Sequence, residues 1–555
     1  MALFPELRRR NVLKVALLYL IASWLALWFV ENAGEALGLP AYAETATIVA
    51  LAIGFPIAMW FAWVYEITPG GLRKAATVDQ TQSIVYKTGQ KLNAATAVLG
   101  VLGLLAFLGQ GMLPKFEFLV PAPPTGDAPV SAGTPAEIRS LTLENGLKII
   151  VWPDHDIPNV VMYNYVRAGG RNGYPGITGL AHFFEHMMFL GTESMEPGEF
   201  DKTMEAAGGA NNAYTSYDVT VYQDWFPRSA LEVIFEIEAD RLENLQIYEE
   251  AVDAERQVVY SERRSGVDDN NWSKLYEQMN ATAFVAHPYQ FPIIGWPSDI
   301  ESWTIEDLTD FYRTYYAPNN RTMIFTGDVT PEEIFEMSEE WFAPIPTEDE
   351  PPPIRTVEPE QLGTRRIEVL ATAQTPLLHV AFHAGSATDP ETLPLNLLLN
   401  ILVGGESSRL HRLLVEEEEL VLDVGAFQYE GFDPGLMYFY LTLPPGGDVA
   451  VVEQRLLEEL QRVAAEGVTT AELAKARNIV LADFWRGLAT IDGKADALGR
   501  YEVFLGDYEL LFQAPAQTES VSVDDIRQAA AIFNTQNMTV GVLRQQPDNE
   551  AKAEE

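Results

Sequence analysis

The sequence predicts an α/β protein of the α+β type, in which two similar sheet-plus-helices domains follow three membrane-spanning helices. Three observations carry this expectation. Residues 1–115 contain three long, nearly uncharged apolar stretches. Beyond them, strand-like alternation and helix-like periodicity take turns. The order strand, strand, glycine, helix then recurs after a Pro- and acid-rich break at 344–360, which reads as an internal duplication.

The apolar stretches are Val12–Val30, Ala46–Val64 and Leu92–Leu113. Each has about 20 residues, enough to cross a bilayer core of about 30 Å. Trp24, Trp28, Trp60 and Trp63 lie toward segment ends, as in an interfacial aromatic belt. Arg8, Arg9, Arg10 and Lys14 open the first stretch, and Arg73, Lys74, Lys87 and Lys91 lie between the second and third. The positive-inside rule therefore expects a cytoplasmic N-terminus and everything after Leu113 outside, periplasmic in a bacterial inner membrane. No small-residue cleavage site follows the first stretch, so residues 1–115 read as an anchor and not a signal peptide.

Residues 116–137, rich in Pro, Ala, Gly and Thr, read as a linker. The first domain is expected over 138–345. Leu141–Val151 reads as a hairpin turning at Asn145-Gly146, and Val160–Arg167 as a strand. A glycine-rich loop leads into a helix near Gly179. Tyr214–Trp225 alternates like a strand, while Ser229–Leu245 and Glu249–Arg264 have helical periodicity. A Pro/acidic linker at 346–364 precedes a second domain over 365–547. There Arg366–Leu370 and Leu377–Gly385 read as strands, and a helix leads toward Gly404-Gly405.

Composition removes several chemistries. With no cysteine in 555 residues there are no disulfides, thiolate ligands or cysteine nucleophiles. Beyond residue 115, 28 Lys and Arg face 73 Asp and Glu, which argues against nucleic acid and against anionic lipid contact by this part. The apolar stretches hold no charge except Lys14 at an edge, so a conduction path through them is disfavoured.

The chemistry-bearing motif is His182-Phe183-Phe184-Glu185-His186. H-x-x-E-H is the inverted zinc-peptidase signature. On a helix, His182 and His186 stand one turn apart on one face, where two imidazoles reach one metal. Glu185 lies beside that face, placed to take a proton from a metal-bound water, aim the water at a peptide carbonyl and pass the proton to the leaving amine. A distant carboxylate must complete the protein ligands, and Glu262, 76 residues beyond His186, is the candidate. Glu255, seven residues before it on the same helical face, is a candidate to orient an imidazole from behind. His155, His287, His379, His383 and His411 have no ligand spacing and read as core or surface residues.

Several stretches beyond the motif resemble the pitrilysin/insulinase family of inverzincin metallopeptidases, nearest to bacterial two-domain relatives of the mitochondrial processing peptidase. They are Gly179–Thr192 around the motif, Gly208–Ser216, Glu255 through Glu262, His287-Pro288-Tyr289, Phe311 through Asn320, Gly327-Asp328, and Gly404-Gly405 through Leu410. The resemblance spans about residues 138–545. It implies two domains facing one another across a chamber, one zinc ion per chain and a peptide or unfolded-protein substrate. It also implies that Asn212, Ala213, Tyr214 and Thr215 lie on an edge strand to which substrate adds as a further strand, with Asn212, Ala213 and Tyr214 as the substrate-binding candidates.

One departure matters. Active family members carry, in a C-terminal domain, an arginine and a tyrosine seven residues apart that hold the substrate carbonyl. After Ser408-Arg409-Leu410 that register falls here on Glu416 and Asp423, which cannot donate a hydrogen bond to an oxyanion at neutral pH. Arg409, Arg412 and Tyr429 are off register and read as structural. Two arrangements follow: a heterodimer in which a homologous chain supplies the pair, or a chain acting alone or as a homodimer at reduced rate. A membrane-tethered assembly or binding subunit that kept the fold and lost the chemistry is the non-enzymatic rival.

Overall fold

The computed structural model describes residues 137–546, and before them Ser23, Thr47, Leu51 and Phe55 (each helical) and two short strands. The chain divides into two compact units, Met1–Asp127 and Ala128–Glu555. In the first, β1 (Tyr65–Thr68) and β2 (Gly71–Lys74) pair antiparallel. Among the described residues no helix is long and apolar enough to cross a membrane. The three expected spans, Val12–Val30, Ala46–Val64 and Leu92–Leu113, lie outside the described residues except for the four isolated positions.

The second unit holds two mixed sheets. The first contains β3 (Arg139–Thr142), β4 (Lys148–Pro153), β5 (Asn159–Val166), β6 (Ala210–Thr215), β7 (Thr220–Pro227) and β8 (Arg321–Gly327), in the order β3-β4-β8-β5-β7-β6. The second contains β9 (Arg365–Ala371), β10 (Leu377–His383), β11 (Asp423–Gln428), β12 (Leu436–Thr442) and β13 (Met538–Gln545), in the order β11-β12-β10-β13-β9. Without β3, the first order is β4-β8-β5-β7-β6, and the second read backwards is β9-β13-β10-β12-β11. Each sheet has one parallel pair, β4 with β8 and β9 with β13, in the same place. The duplication expected from element order is therefore present in the topology.

Asn145-Gly146 turns the first hairpin as expected. Gly146 takes φ +89°, a left-handed conformation costly for other residues, and Asn145 Nδ2 donates to the carbonyls of Phe342 and Ile345. Tyr214–Trp225 is not one strand. It breaks at Ser216–Val219, where Ser216 Oγ accepts from the amides of Asp218 and Val219 and so folds the chain back. The side-chain alternation continues through this turn, which is why it reads as one strand. In the second half the helix Thr392–Val403 follows its strand after the loop 384–391 and ends at Gly404, so Gly404-Gly405 close the helix and do not precede it.

Both faces of each sheet are covered, which explains why β5 and β8 are buried along nearly their whole length. On one face of the first sheet, Ile149, Val151, Met162 and Phe325 pack on Ile234 and Phe235 of the helix Leu231–Glu243. On the opposite face, Ile150, Val161, Tyr165 and Ile324 pack on Leu498 and Val503, which belong to the helix Ile491–Leu505 of the second half. The exchange is reciprocal. Leu275, Met279 and Ala283 of the helix Asn271–Ala283 pack on Ala381, Tyr438 and Leu543 of the second sheet. A Cβ on Gly499 would sit 2.1 Å from the Tyr165 ring, so the exchanged helix approaches β5 as closely as backbone allows. Asp492 near that helix's start accepts from Tyr163 Oη at 2.8 Å and Trp225 Nε1 at 2.5 Å.

Candidate metal centre

The motif helix is Leu180–Met187, with Gly179 at its N-cap at φ +89°. A Cβ on Gly179 would lie 2.6 Å from the carbonyl oxygen of Ile294, so only glycine fits that entry. Phe183, Phe184 and Met187 anchor the helix in a core shared with Val252 and Val259 of the helix Glu249–Arg263. Packing those apolar positions together turns the histidines of one helix toward the carboxylates of the other.

His182 Nε2 lies 3.5 Å from Glu262 Oε2, and His186 Nε2 lies 3.4 Å from the same oxygen. One donor atom from each of the three residues lies within 4.8 Å of the others. His186 Nδ1–H donates to Glu255 Oε1 at 2.7 Å, which fixes the tautomer that frees Nε2. His182 Nδ1 is buried without a partner. Two imidazole nitrogens and one carboxylate oxygen converging within 4.8 Å of one another fit the protein ligand set of a catalytic zinc site.

Electrostatics agree with this geometry. Burial pulls His186 down, but its hydrogen bonds to Glu255 and Glu262 outweigh it and carry the imidazole to about 9. Hydrogen bonds from His182 and His186 hold Glu262 well below the usual carboxylate range against the opposing effect of its burial. Metal-free, the site is a carboxylate-rich cage that stabilises positive charge.

Glu185 stands beside the histidines, and Thr215 Oγ1 donates to its Oε2 at 2.6 Å. Thr215 ends β6, and β6 pairs only with β7, at the edge of the sheet. Asn212, Ala213 and Tyr214 lie on this edge strand, opposite Gln223, Tyr222 and Val221. Ala213 faces the core around the motif helix. Tyr214 faces the other way, toward the exchanged helix, where burial and the Asp496 charge push its phenol up to about 12. Its backbone is at the edge while its ring is not on the metal side. The sequence places Thr215 on this edge strand but not against Glu185: alternation with Ala213 gives its face, and no spacing gives its partner.

The off-register residues are engaged elsewhere. Arg409 donates to Glu472 at 2.6 and 2.8 Å and to Glu459 at 3.3 Å, and Arg412 donates to Glu417. Tyr429 Oη donates to Asp218 Oδ2 at 2.8 Å. Glu416 lies 3.9 Å from His411 Nδ1, and Asp423 opens β11 opposite Thr442. The other histidines have local partners: His155 pairs with Asp328, His287 with Asp433, His379 with Tyr438, and His383 with the Ala283 carbonyl.

Two family models match the chain. Insulinase (peptidase family M16) matches residues 154–295, and the peptidase M16 inactive domain matches 302–480. The chain has the M16 peptidase fold. Among relatives of this fold, the zinc protease PqqE of Helicobacter pylori is 29% identical over 411 residues, covering 72% of this chain and 92% of the relative. A probable mitochondrial-processing peptidase subunit beta of Arabidopsis thaliana is 25% identical, covering 71% and 76%. The crystal structure of a protease from Helicobacter pylori superposes with a TM-score of 0.71 at 28% identity, covering 73% of this chain and 99% of that one. The M16 inactive-domain match begins in the first half and extends over most of the second, where H-x-x-E-H does not recur.

Proposed function

We propose that this chain is a membrane-anchored zinc metalloendopeptidase that hydrolyses peptides or unfolded segments bound as an extra strand along β6. The observation that carries the reading is the convergence of His182, His186 and Glu262 beside Glu185 at a sheet edge. His182 and His186 would hold Zn2+ through Nε2, and Glu262 through a carboxylate oxygen. Bound there, the ion would supply Lewis acidity and lower the pKa of a coordinated water. Glu185 keeps Oε2 on Thr215 and so has Oε1 free to take a proton from the attacking water and return it to the departing amine. Glu255 keeps His186 in the tautomer that leaves Nε2 as a ligand. The edge amides and carbonyls of β6 bind substrate backbone, which gives broad peptide choice.

We further propose that a homologous chain supplies the arginine–tyrosine pair and closes the chamber, with 138–345 and 365–547 as the two domains on either side of the 346–364 linker. Glu416 and Asp423 stand in the register of that pair, and Arg409 and Tyr429 are committed to other carboxylates. The three apolar stretches support an anchor in a bacterial inner membrane with the peptidase domains periplasmic. The alternative, an inactive assembly or binding subunit, draws on the M16 inactive-domain match.

The deciding experiment uses full-length protein in detergent, with stoichiometric zinc and an unfolded peptide substrate. Glu185→Gln should retain zinc and lose about 10²–10⁴ in turnover. Wild type no faster than Glu185→Gln, both alone and mixed with a homologue bearing the arginine–tyrosine pair, would leave the assembly-subunit reading.

A further inference from the structure

The second half carries no metal motif, yet it reaches the candidate base through a continuous chain of contacts. Thr215 Oγ1 donates to Glu185 Oε2 at 2.6 Å. That bond ties one oxygen and fixes the direction of the other. The turn that follows Thr215 contains Asp218, whose side chain is fully buried. Asp218 accepts from Tyr289 Oη at 2.8 Å, Arg171 Nη1 at 3.1 Å, Tyr429 Oη at 2.8 Å and the Phe432 amide at 3.2 Å. Arg171 Nη2 also meets Asp433 Oδ2 at 2.5 Å, and Asp433 lies 3.0 Å from His287 Nε2. Tyr429, Phe432 and Asp433 all come from the β11–β12 connection of the second half. This loop is pressed onto the buried carboxylate: a Cβ on Gly431 would lie 2.4 Å from Asp218 Oδ2 and 2.3 Å from Tyr289 Oη.

We infer that Thr215 is the positioning residue for Glu185, and that the Arg171–Asp218–Tyr429–Asp433 latch sets Thr215 in place from the second half. The inference rests on the peptidase reading above and adds a role for the half without metal. Substrate adding to β6 meets a strand whose end already holds the base, so the latch couples the two halves to the geometry of the proton transfer. A misplacement of about 1 Å at a catalytic group can cost about 10²-fold in rate, which is the scale at which such a latch matters.

The test uses full-length, zinc-loaded protein, with the homologous partner present if activity requires it. Thr215→Val, which keeps the shape and removes the donor, should lower kcat about 10- to 100-fold with KM within about twofold and zinc still stoichiometric. Thr215→Ser should restore kcat to within about threefold of wild type. Tyr429→Phe should lower kcat by about three- to tenfold, and the Thr215→Val/Tyr429→Phe pair should be no slower than Thr215→Val alone, because both act through one bond. In metal-free protein, Tyr429→Phe should speed amide hydrogen exchange across residues 210–219. A Thr215→Val enzyme with wild-type kcat overturns the positioning role. Additive losses in the pair, or unchanged exchange, overturn the latch. Thr215→Val against Thr215→Ser decides the first claim even if Tyr429→Phe does not fold. Absence of turnover in wild type would sink the peptidase reading and with it the positioning of a base by Thr215, whereas the exchange result, which does not depend on catalysis, would still decide the latch.

Discussion

Zinc and a proton compete for His186, and the structure sets the terms. In the metal-free site the imidazole titrates at about 9, because its hydrogen bonds to Glu255 and Glu262 overcome the effect of burial. Zinc needs the Nε2 lone pair, so below about pH 9 each binding event must expel a proton. Glu262 is held below the ordinary carboxylate range and stays ionised throughout, so it adds no competing proton here. The apparent zinc affinity should therefore rise about tenfold per pH unit from 7 toward 9 and then level off, leaving it about 100-fold below its ceiling at pH 7. Glu255→Gln separates two effects of opposite sign. Removing that carboxylate lowers the His186 pKa, so the proton competes less. It also loosens the ring, which typically costs about 10- to 100-fold in metal affinity. The variant should thus bind zinc more weakly than wild type at pH 9.5, with the deficit shrinking toward pH 7. Competition against a fluorescent chelator from pH 6.5 to 10 measures both curves, and calorimetry in buffers of different ionisation enthalpy counts the protons released. Wild-type affinity flat between pH 7 and 9, or parallel curves for the two proteins, would refute the reasoning.

The same titration acts on the metal-free fold. His186 rises from an ordinary value near 6.5 to about 9 on folding, so its contribution is complete below about pH 6.5 and disappears as pH rises through 9. The unfolding free energy of metal-free protein, from urea denaturation, should fall across that window by at most about 3.4 kcal/mol, whereas zinc-loaded protein should gain stability relative to metal-free protein. Gly499→Ala places a methyl against the buried Tyr165 ring and should cost about 1–3 kcal/mol of packing, offset by up to about 1 kcal/mol of helix propensity, whereas at Gly541 the nearest atom is the flexible Met279 Sδ and the cost should be smaller. Paired urea denaturation curves decide between them. Arg409→Met leaves Glu472 without its cation and Glu459 with Arg462 alone, and should destabilise by up to about 3 kcal/mol, with zinc content and turnover per folded molecule unchanged; a selective loss of turnover would mean that Arg409 reaches substrate. Deleting residues 1–115 should move the protein from the membrane to the soluble fraction on ultracentrifugation, and persistence in the membrane would refute the anchor.

Most of the candidate site was legible in the sequence because its candidate ligands obey short-range rules. The His182–His186 spacing is helical, the Glu255–Glu262 spacing is helical, and a third ligand was required by zinc coordination itself. The duplication was legible because element order survives when side chains diverge. The break inside Tyr214–Trp225 was not, because Ser216 makes its turn with one hydroxyl while the apolar alternation runs on undisturbed. The role of Thr215 was not legible for a related reason: alternation gives a strand hydroxyl its face but not its partner, which here is Glu185, 30 residues earlier in the chain.

The exchange of helices between the halves was out of reach for a deeper reason. The amphipathic pattern of Asn271–Ala283 or Ile491–Leu505 says that a face is buried, but it does not say against which sheet. Two sheets of the same topology offer equivalent apolar faces, and the pattern is satisfied by either. Specificity has to come from polar and close-packed details that have no period: Asp492 beneath Tyr163 and Trp225, Gly499 beneath Tyr165, Met279 over Gly541, Asp218 beneath Tyr429. These contacts also prevent either half from completing its own sheet face alone. Because β6 lies between the motif helix on one side and the exchanged helix with the Asp218 turn on the other, the edge that would receive substrate is built by both halves. A duplicated fold that carries its histidine motif in one copy therefore has a physical reason to keep the other.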